Sequence, residues 1–474
     1  MLEKIKKLVP RRLFKSLQPI YHYFIAWLAL IVYRSPSQEL VVIGVTGTAG
    51  KTSTVYLIAK ILAEAGYKTG FTSTAVFSDG DREWLNDKKM TMPGRFFIQR
   101  SLRAMLKNGC RYAIVETTSE GIKQFRHRFI NYDTLVFTSL YPEHIEAHGN
   151  FANYKKTKER LFKHLKTGRT KYINEQHEVI RPRSGLKKLD LSRVRKTIII
   201  NGDDEHALDF LNHWSETKLA CSFASDVQAE QFLGQLSAEA QVKDFTVVRG
   251  RDLSEEATGL SFIIDDQPIT LPLLGRFNAI NALLAYAVGL SQGISAEKIS
   301  SGLEQVKGLA GKLELIKAGQ DFTAIVDYSF EPVALQKLYE TLEQLPKNKI
   351  IHLLGSAGGG RDKTRRPILG ELAGRQADIV IVSNEDPYDE DPEEIIKEVA
   401  AGAKAAGKIM DQNLFTILDR RQAIAKALSL ATAGDLVLFT GKGAEQHICL
   451  AQGEKLPWDE RTVVREELDK LLSK

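Results

Sequence analysis

Short apolar runs that end in turn residues recur along this chain, separated by stretches whose apolar residues return every three or four positions. Leu40-Val-Val-Ile-Gly-Val45 is one such run. It ends in a glycine-rich turn and is followed by an apolar-periodic stretch from Thr54 to Ala65, closed by Gly66. That order predicts strand, loop and helix. Further runs at Tyr112–Val115 and Thr134–Phe137, with helical spacing between them, predict βαβ units and a mostly parallel sheet. From about Leu219 to Leu274 short period-2 runs (Phe245-Thr-Val-Val248 and Leu260-Ser-Phe-Ile-Ile264) alternate with turn residues, which predicts a small strand-rich part. Phe277 to Leu290 reads as a long helix. A second α/β unit begins near Gly311, with runs at Ala324–Val326, Ile350–Leu354, Ile379–Val382 and Leu436–Phe439. The expected division is a segment 1–40, a central unit 41–309 and a C-terminal unit 310–474.

Length agrees with that division, since 474 residues make two or three domains, each able to bury a core. The net charge of +6 is mild but uneven: Lys4, Lys6, Lys7, Arg11, Arg12 and Lys15 face a single acid, Glu3, before Ser16. A local excess of this kind points to an anionic surface and not to a nucleic-acid-binding chain. Cys110, Cys221 and Cys449 are far apart and odd in number, with neither disulfide nor metal spacing, which suits a reducing compartment. Ser16 to Tyr33 carries no formal charge and contains Tyr23-Phe-Ile-Ala-Trp-Leu-Ala-Leu-Ile-Val-Tyr33. A spanning helix needs about 20 predominantly apolar residues, so the run is marginal as a span. A phosphate-binding loop follows within a dozen residues, which argues against a secretory signal. A membrane-surface helix with basic and aromatic flanks and a helix packed on the protein's own core both remain open.

The strongest chemical signal is Gly44-Val-Thr-Gly-Thr-Ala-Gly-Lys-Thr-Ser53. Glycines let successive N–H groups turn toward a phosphate, and the following helix adds its positive end. Gly47, Thr48, Gly50, Lys51, Thr52 and Ser53 are the nucleotide-binding candidates, with Lys51 reaching the β/γ-phosphates of ATP and Thr52 helping to hold Mg²⁺. Glu116 closes the run Val115-Glu116-Thr-Thr-Ser119 at a parallel strand's carboxyl end, where ligands bind, and beside a phosphate loop its natural task is Mg²⁺. A third signal is Thr138-Ser-Leu-Tyr-Pro-Glu-His-Ile-Glu-Ala-His-Gly149, followed by Tyr154, Lys158, Leu161 and Phe162. Its His144 is a candidate metal ligand.

Together these motifs resemble the Mur ligase family, and within it the MurE branch of UDP-N-acetylmuramoyl-peptide amino-acid ligases. The resemblance continues in order through Leu274-Gly-Arg-Phe-Asn-Ala-Ile-Asn281, Gly311-Lys-Leu-Glu314, Val326-Asp-Tyr328, Gly358-Gly-Gly-Arg-Asp-Lys363 with Arg366-Pro367, Asp386-Pro387 and Thr440-Gly-Lys-Gly443. It implies a P-loop central domain with a small strand-rich part, followed by a Rossmann-like C-terminal domain. By resemblance, Glu116 and His144 ligate Mg²⁺, and Lys158 is carbamylated beside a second Mg²⁺. Asn278, Asn281, Lys312 and Asp327 belong to the nucleotide site. Thr91, Arg361, Asp362, Asp386, Tyr388, Gly441 and Glu445 belong to the substrates. The implied reaction is cytoplasmic: ATP converts a carboxylate to an acyl phosphate, an amino acid's amine displaces the phosphate, and the C-terminal domain closes to exclude water.

Departures from the family pattern shape the expectations. Ala49 replaces a usual Asn, Phe330-Glu331 follows Tyr328-Ser329, Lys312 stands in place of Arg, and Ala444 stands in place of His. Only about 40 residues precede the phosphate loop, where MurE enzymes carry a uridine-nucleotide-binding domain. That opens a lipid-linked acceptor as well as a UDP-linked muramoyl peptide, and contact of 1–34 with the inner face of a membrane. Tyr388 replaces the Arg of diaminopimelate-adding enzymes. It lies among Glu385, Asp386, Asp389, Glu390 and Asp391, a field expected to favour an amino acid with a distal amine. Alternatives are a folate-type polyglutamylating or poly-amino-acid-forming ligase, and a membrane-associated P-loop NTPase regulator.

Overall fold

Val41–Thr46 (β1) is buried along its whole length, as expected of a parallel strand covered on both faces. The computed structural model describes residues 11–143, 145–180, 191–223, 245–256 and 258–473. In chain order the other strands of the first lobe are β2 (Thr69–Thr72), β3 (Val76–Ser78), β4 (Glu83–Leu85), β5 (Tyr112–Glu116), β6 (Thr134–Phe137), a small hairpin β7/β8 (Lys171–Ile173, Ser192–Val194), β9 (Thr197–Asn201), β10 (Thr217–Ser222), β11 (Thr246–Glu256), β12 (Gly259–Ile264) and β13 (Gln267–Leu271). Except for the hairpin they form one eleven-stranded sheet, ordered β13-β12-β11-β10-β9-β6-β1-β5-β2-β3-β4. Its centre, from β11 to β2, is parallel. Antiparallel strands extend both ends. The strand-rich part expected from the sequence is therefore an edge of the main sheet. The helices Lys51–Glu64 and Phe277–Ser291 cover one face, and a second apolar cluster fills the other.

The second lobe holds β14 (Glu314–Ile316), β15 (Thr323–Val326), β16 (Ile350–Leu354), β17 (Ile379–Ser383), β18 (Leu414–Ile417) and β19 (Leu436–Phe439). Their order is β14-β15-β19-β16-β17-β18, parallel except for β14. A hairpin, β20/β21 (His447–Cys449, Lys455–Pro457), follows. β14 and β18 escape the sequence pattern because each is short and only half-buried.

Register sets the functional end. Val45 of β1 pairs with Glu116, and Thr46 with Phe137, so three strand ends emerge together. The first lobe also buries a charge cluster: Asp133 accepts from Lys171, from Lys196 at 2.9 Å and from the Val42 N–H at 2.8 Å. Burial pushes the Lys171 ammonium's pKa down to about 8, with Asp133 opposing. Among the described residues no helix is long and apolar enough to cross a membrane.

Candidate active site

Gly50 ends the phosphate loop in the left-handed region, with φ 80°. A Cβ there would meet Asn281 Oδ1 at 2.4 Å, so glycine is required both for conformation and for space. Asn281 is held by Asn278, whose Oδ1 accepts from Asn281 Nδ2 at 3.0 Å, and Asn278 Nδ2 donates to Leu274 O at 2.8 Å. Thr54 Oγ1 donates to Gly50 O at 2.9 Å and to Asn281 Oδ1 at 3.3 Å. Both asparagines are thus buried behind the loop and brace it. At the loop's front, Lys51 Nζ donates to Thr48 O at 2.6 Å.

Glu116 is fully buried at the end of β5. It accepts from Thr52 Oγ1 at 3.0 Å and from Thr74 N and Thr74 Oγ1, both at 2.8 Å. Thr91 Oγ1 lies 2.7 Å from Thr74 Oγ1, extending the chain of hydroxyls. Lys158, from the helix Phe151–Leu165, is 1% exposed and donates to Gly47 O at 2.6 Å. Burial drives its pKa well below that of an ordinary lysine, and nearby Lys51 adds to the effect. Tyr154, one turn earlier, places its ring 4.6 Å from Lys158 Nζ and its hydroxyl 3.0 Å from Thr48 Oγ1. Lys158 therefore backs the phosphate loop. Burial raises the pKa of the Glu143 carboxyl, against the pull of Lys51 and Lys158. His144 lies outside the described residues.

Both lobes line a cavity of about 450 Å³. Thr48, Gly50, Lys51, Thr52, Ser53, Thr91 and Glu116 line it from the first lobe, and Lys312, Arg361 and Glu445 from the second. Gly47, Lys158, Asn278, Asn281, Asp327, Asp362, Asp386, Tyr388 and Gly441 do not line it. Asp327 caps local turns, accepting from Leu313 N at 2.8 Å and Ser329 N at 2.7 Å. Lys312 Nζ lies 4.8 Å from the Tyr328 ring centre, and the Tyr328 hydroxyl donates to Glu445 Oε1 at 3.1 Å. Burial lowers the Lys312 pKa, while Asp327 and Glu116 raise it. Asp362 is exposed and accepts from Thr364 N and Oγ1, at 2.9 and 2.7 Å. Gly441 packs on the buried Glu385.

The acidic run around Tyr388 is largely neutralised from elsewhere in the chain, which corrects the expectation of an open acidic field. Asp386 accepts from Lys442 Nζ at 3.1 Å, from Cys449 N at 2.7 Å, and from Lys89 Nζ at 2.6 and 2.7 Å. Glu390 is bound by Arg366 at 2.9 Å and Lys363 at 3.0 Å. Asp389 and Asp391 accept from backbone N–H groups of Gln452 and Glu393. Tyr388 itself has φ 53° and donates its N–H to Cys449 O at 3.1 Å. The sequence reading missed Lys89, and it left Lys442, inside the quoted Thr440–Gly443 motif, without a role.

The donor chemistry suits Mg²⁺ and ATP. Thr52 and Glu116 offer hard oxygens beside the phosphate loop, and Mg²⁺ commonly keeps few protein ligands along with waters and phosphates.

Comparison with known proteins gives the same picture. The Mur ligase middle domain matches residues 45–194, and the Mur ligase, glutamate ligase domain matches 311–443. A UDP-N-acetylmuramyl-tripeptide synthetase of Roseiflexus sp. is 36% identical over 453 residues, covering 94% of this chain and 82% of that protein. A UDP-N-acetylmuramoyl-L-alanyl-D-glutamate–2,6-diaminopimelate ligase of Halalkalibacterium halodurans is 30% identical over 447 residues, covering 94% and 81%. Among solved structures, a folylpolyglutamate synthase of Mycobacterium tuberculosis superposes with a TM-score of 0.61 at 16% identity, covering 95% of each chain, a likeness of fold. These two domain matches, with a relative 36% identical across 94% of the chain, make the chain a member of the Mur ligase family.

Proposed function

We propose that this protein joins an amino acid to the terminal carboxylate of a muramoyl peptide, using ATP and Mg²⁺, in peptidoglycan precursor synthesis. The observation that carries this reading is the cavity between the lobes. A phosphate loop and Glu116 form one wall, and cationic Lys312 and Arg361 with Glu445 form the other. The names borne by the curated relatives supply the acceptor class.

The chemistry follows from that arrangement. The loop N–H groups and Lys51 hold the nucleotide so that its γ-phosphoryl faces the acceptor carboxylate. Mg²⁺ held by Thr52 and Glu116 would offset charge on the phosphates. Carboxylate oxygen bonds to phosphorus as the bond to ADP breaks, giving an acyl phosphate. The amine then adds to the acyl carbon, loses a proton and expels phosphate. The second lobe excludes water, which would otherwise hydrolyse the acyl phosphate. Lys158, whose burial disfavours the charged ammonium, could as the neutral amine add CO₂ and release H⁺ to become a carbamate, whose oxygens would offer an anionic ligand to Mg²⁺ behind the loop. Segments 1–40, 41–309 and 310–474 serve as anchor, nucleotide lobe and closing lobe. The enzyme works in the cytoplasm, where 1–34 meets the inner membrane face, and its acceptor is UDP-linked or lipid-linked.

The test is product analysis by mass spectrometry, with amino acids offered against UDP-linked and lipid-linked muramoyl peptides. ADP release that requires both acid and amine, with one amide formed per ADP, is expected. ATP consumption independent of both would instead indicate a regulatory NTPase.

A further inference from the structure

The N-terminal helix Arg11–Val32 leaves a stripe of large apolar side chains exposed, while Ile25, Leu28 and Leu30 are half-buried. Ala26 and Ala29 are buried, at 2% and 0% exposure, while Ile20, Phe24, Trp27 and Ile31 are 66%, 53%, 42% and 51% exposed. Spacings of four, three and four residues put those large side chains on one stripe, since they follow the helical period. A helix stabilising only its own domain would turn the large residues inward, where burying each is worth more. Tyr21, Tyr23 and Val32 add to the exposed apolar surface. Tyr23 is anchored edge-on against Phe129, with ring centres 5.2 Å apart, so the helix is fixed to the lobe while its stripe faces out.

The end of this helix opens onto a second feature. Val32, Tyr33 and Arg34 border a hollow of about 560 Å³, whose other walls include Arg100, Arg103 and Lys107 of the helix Arg95–Lys107. Four of its lining side chains are cationic. Glu39 approaches one of them, Arg103, at 4.0 Å. Arg34, Arg100 and Lys107 are exposed. The hollow begins at exposed Val32, the residue after Ile31 at the end of the stripe.

We propose that this face docks on an anionic lipid bilayer, with Ile20, Phe24, Trp27 and Ile31 entering the interface and Arg34, Arg100, Arg103 and Lys107 receiving lipid phosphates. The inference deepens the membrane contact given above for 1–34 and rests on it. It adds a headgroup site contributed largely by a different helix. Aromatic and aliphatic side chains beside a cationic rim are the combination that holds an interfacial helix in the plane of a membrane. A second copy of the chain is a poorer occupant, because an isologous interface sets each patch against itself and would oppose the two cationic hollows.

The experiment is co-sedimentation of the full chain with vesicles of phosphatidylcholine alone and with added phosphatidylglycerol. Binding to the anionic vesicles only is expected. Phe24→Ser with Trp27→Ser should abolish it. Arg100→Glu with Lys107→Glu should weaken partition by at least about 30-fold, since losing each basic side chain near the surface costs about fivefold and the new carboxylates add repulsion. Each variant should keep its melting temperature and its amide formation with a soluble acceptor, which separates this inference from the ligase reading. Undiminished binding by Arg100→Glu/Lys107→Glu would overturn the headgroup site while leaving contact by the helix. Failure of the full chain to bind anionic vesicles would overturn both. A dimer in solution that Phe24→Ser/Trp27→Ser converts to monomer would assign the face to self-association and overturn the proposal.

Discussion

The Lys89 ammonium lies 2.7 and 2.6 Å from the two carboxylate oxygens of Asp386, so a side chain of the first lobe is seated among acids of the second. Glu445 adds a contact at 3.0 Å, and the three groups are mostly buried. Burial opposes the Lys89 charge, but the two acids outweigh it and hold the lysine pKa above its ordinary value. The same acids are served within their own lobe by Lys442, at 3.1 Å from Asp386 and 2.7 Å from Glu445. Lys89 is therefore a tie between lobes, and Lys442 is the ground beneath it.

Removing the tie should loosen closure without unfolding either lobe. Lys89→Ala leaves Asp386 still paired with Lys442, so the loss should sit at the lower end of the range for a buried charged contact, about 2 kcal/mol or roughly 30-fold in the closed population. Turnover should fall accordingly, and small-angle scattering with nucleotide present should show a larger radius of gyration than wild type. Unchanged turnover and scattering would show that the contact carries no weight in closure.

Gly50→Ala should cripple nucleotide binding through two separable effects. Alanine resists φ 80°, at a cost of about 1–2 kcal/mol, and its Cβ would meet Asn281 Oδ1 at 2.4 Å. Nucleotide affinity should drop at least about tenfold in titration calorimetry. Adding Asn281→Ala should recover part of the loss by clearing the collision while the backbone strain stays. A double variant no better than Gly50→Ala would show that strain alone decides.

Lys158→Ala should yield a folded protein without ligase turnover, because Lys158 Nζ reaches Gly47 O from behind the phosphate loop at 2.6 Å. If a carbamate is the active form, formate or acetate should restore part of the rate, and stripping CO₂ from the wild type should depress it reversibly. A Lys158→Ala enzyme with wild-type turnover would leave this lysine a purely structural role.

Acid should destabilise the second lobe through His352. Its ring is fully buried, with Nδ1 2.6 Å from the Tyr339 hydroxyl and Nε2 2.9 Å from Thr440 Oγ1. Burial, with help from Arg420, lowers its pKa from 6.5 to about 3. Between those values the unfolded chain binds a proton that the folded chain refuses, so stability rises with pH through this window and is lost as pH falls below about 6.5. Urea midpoints at pH 7, 6 and 5 should decline, and His352→Asn should flatten the decline. An equal slope in the variant would assign the acid sensitivity to other groups, such as His164, whose pKa burial lowers to about 4.

Much of the nucleotide wall was legible in the sequence because it is local. Strand, glycine-rich turn and helix are consecutive, so Lys51, Thr52 and the end of β5 at Glu116 follow from short-range rules about backbone and strand ends. The family resemblance extended that reading across the chain, including the motifs around Asn281 and Lys442. What it could not convey was which faces those side chains present. Asn278 and Asn281 brace the loop from behind because the helix Phe277–Ser291 packs on the helix Lys51–Glu64, a contact between segments more than two hundred residues apart.

The tertiary structure alone decided the charge balance. Read along the chain, Glu385 to Asp391 is an uncompensated acidic run. In space it is met by Lys442, Arg366, Lys363 and, from 297 residues away, Lys89. A carboxylate's field depends on its nearest cations and on burial, and neither is a function of sequence distance. The same holds at the N-terminus. The sequence shows an uncharged aromatic run from Ser16 to Tyr33, but only its packing through Ala26 and Ala29 shows that Ile20, Phe24, Trp27 and Ile31 are left outside.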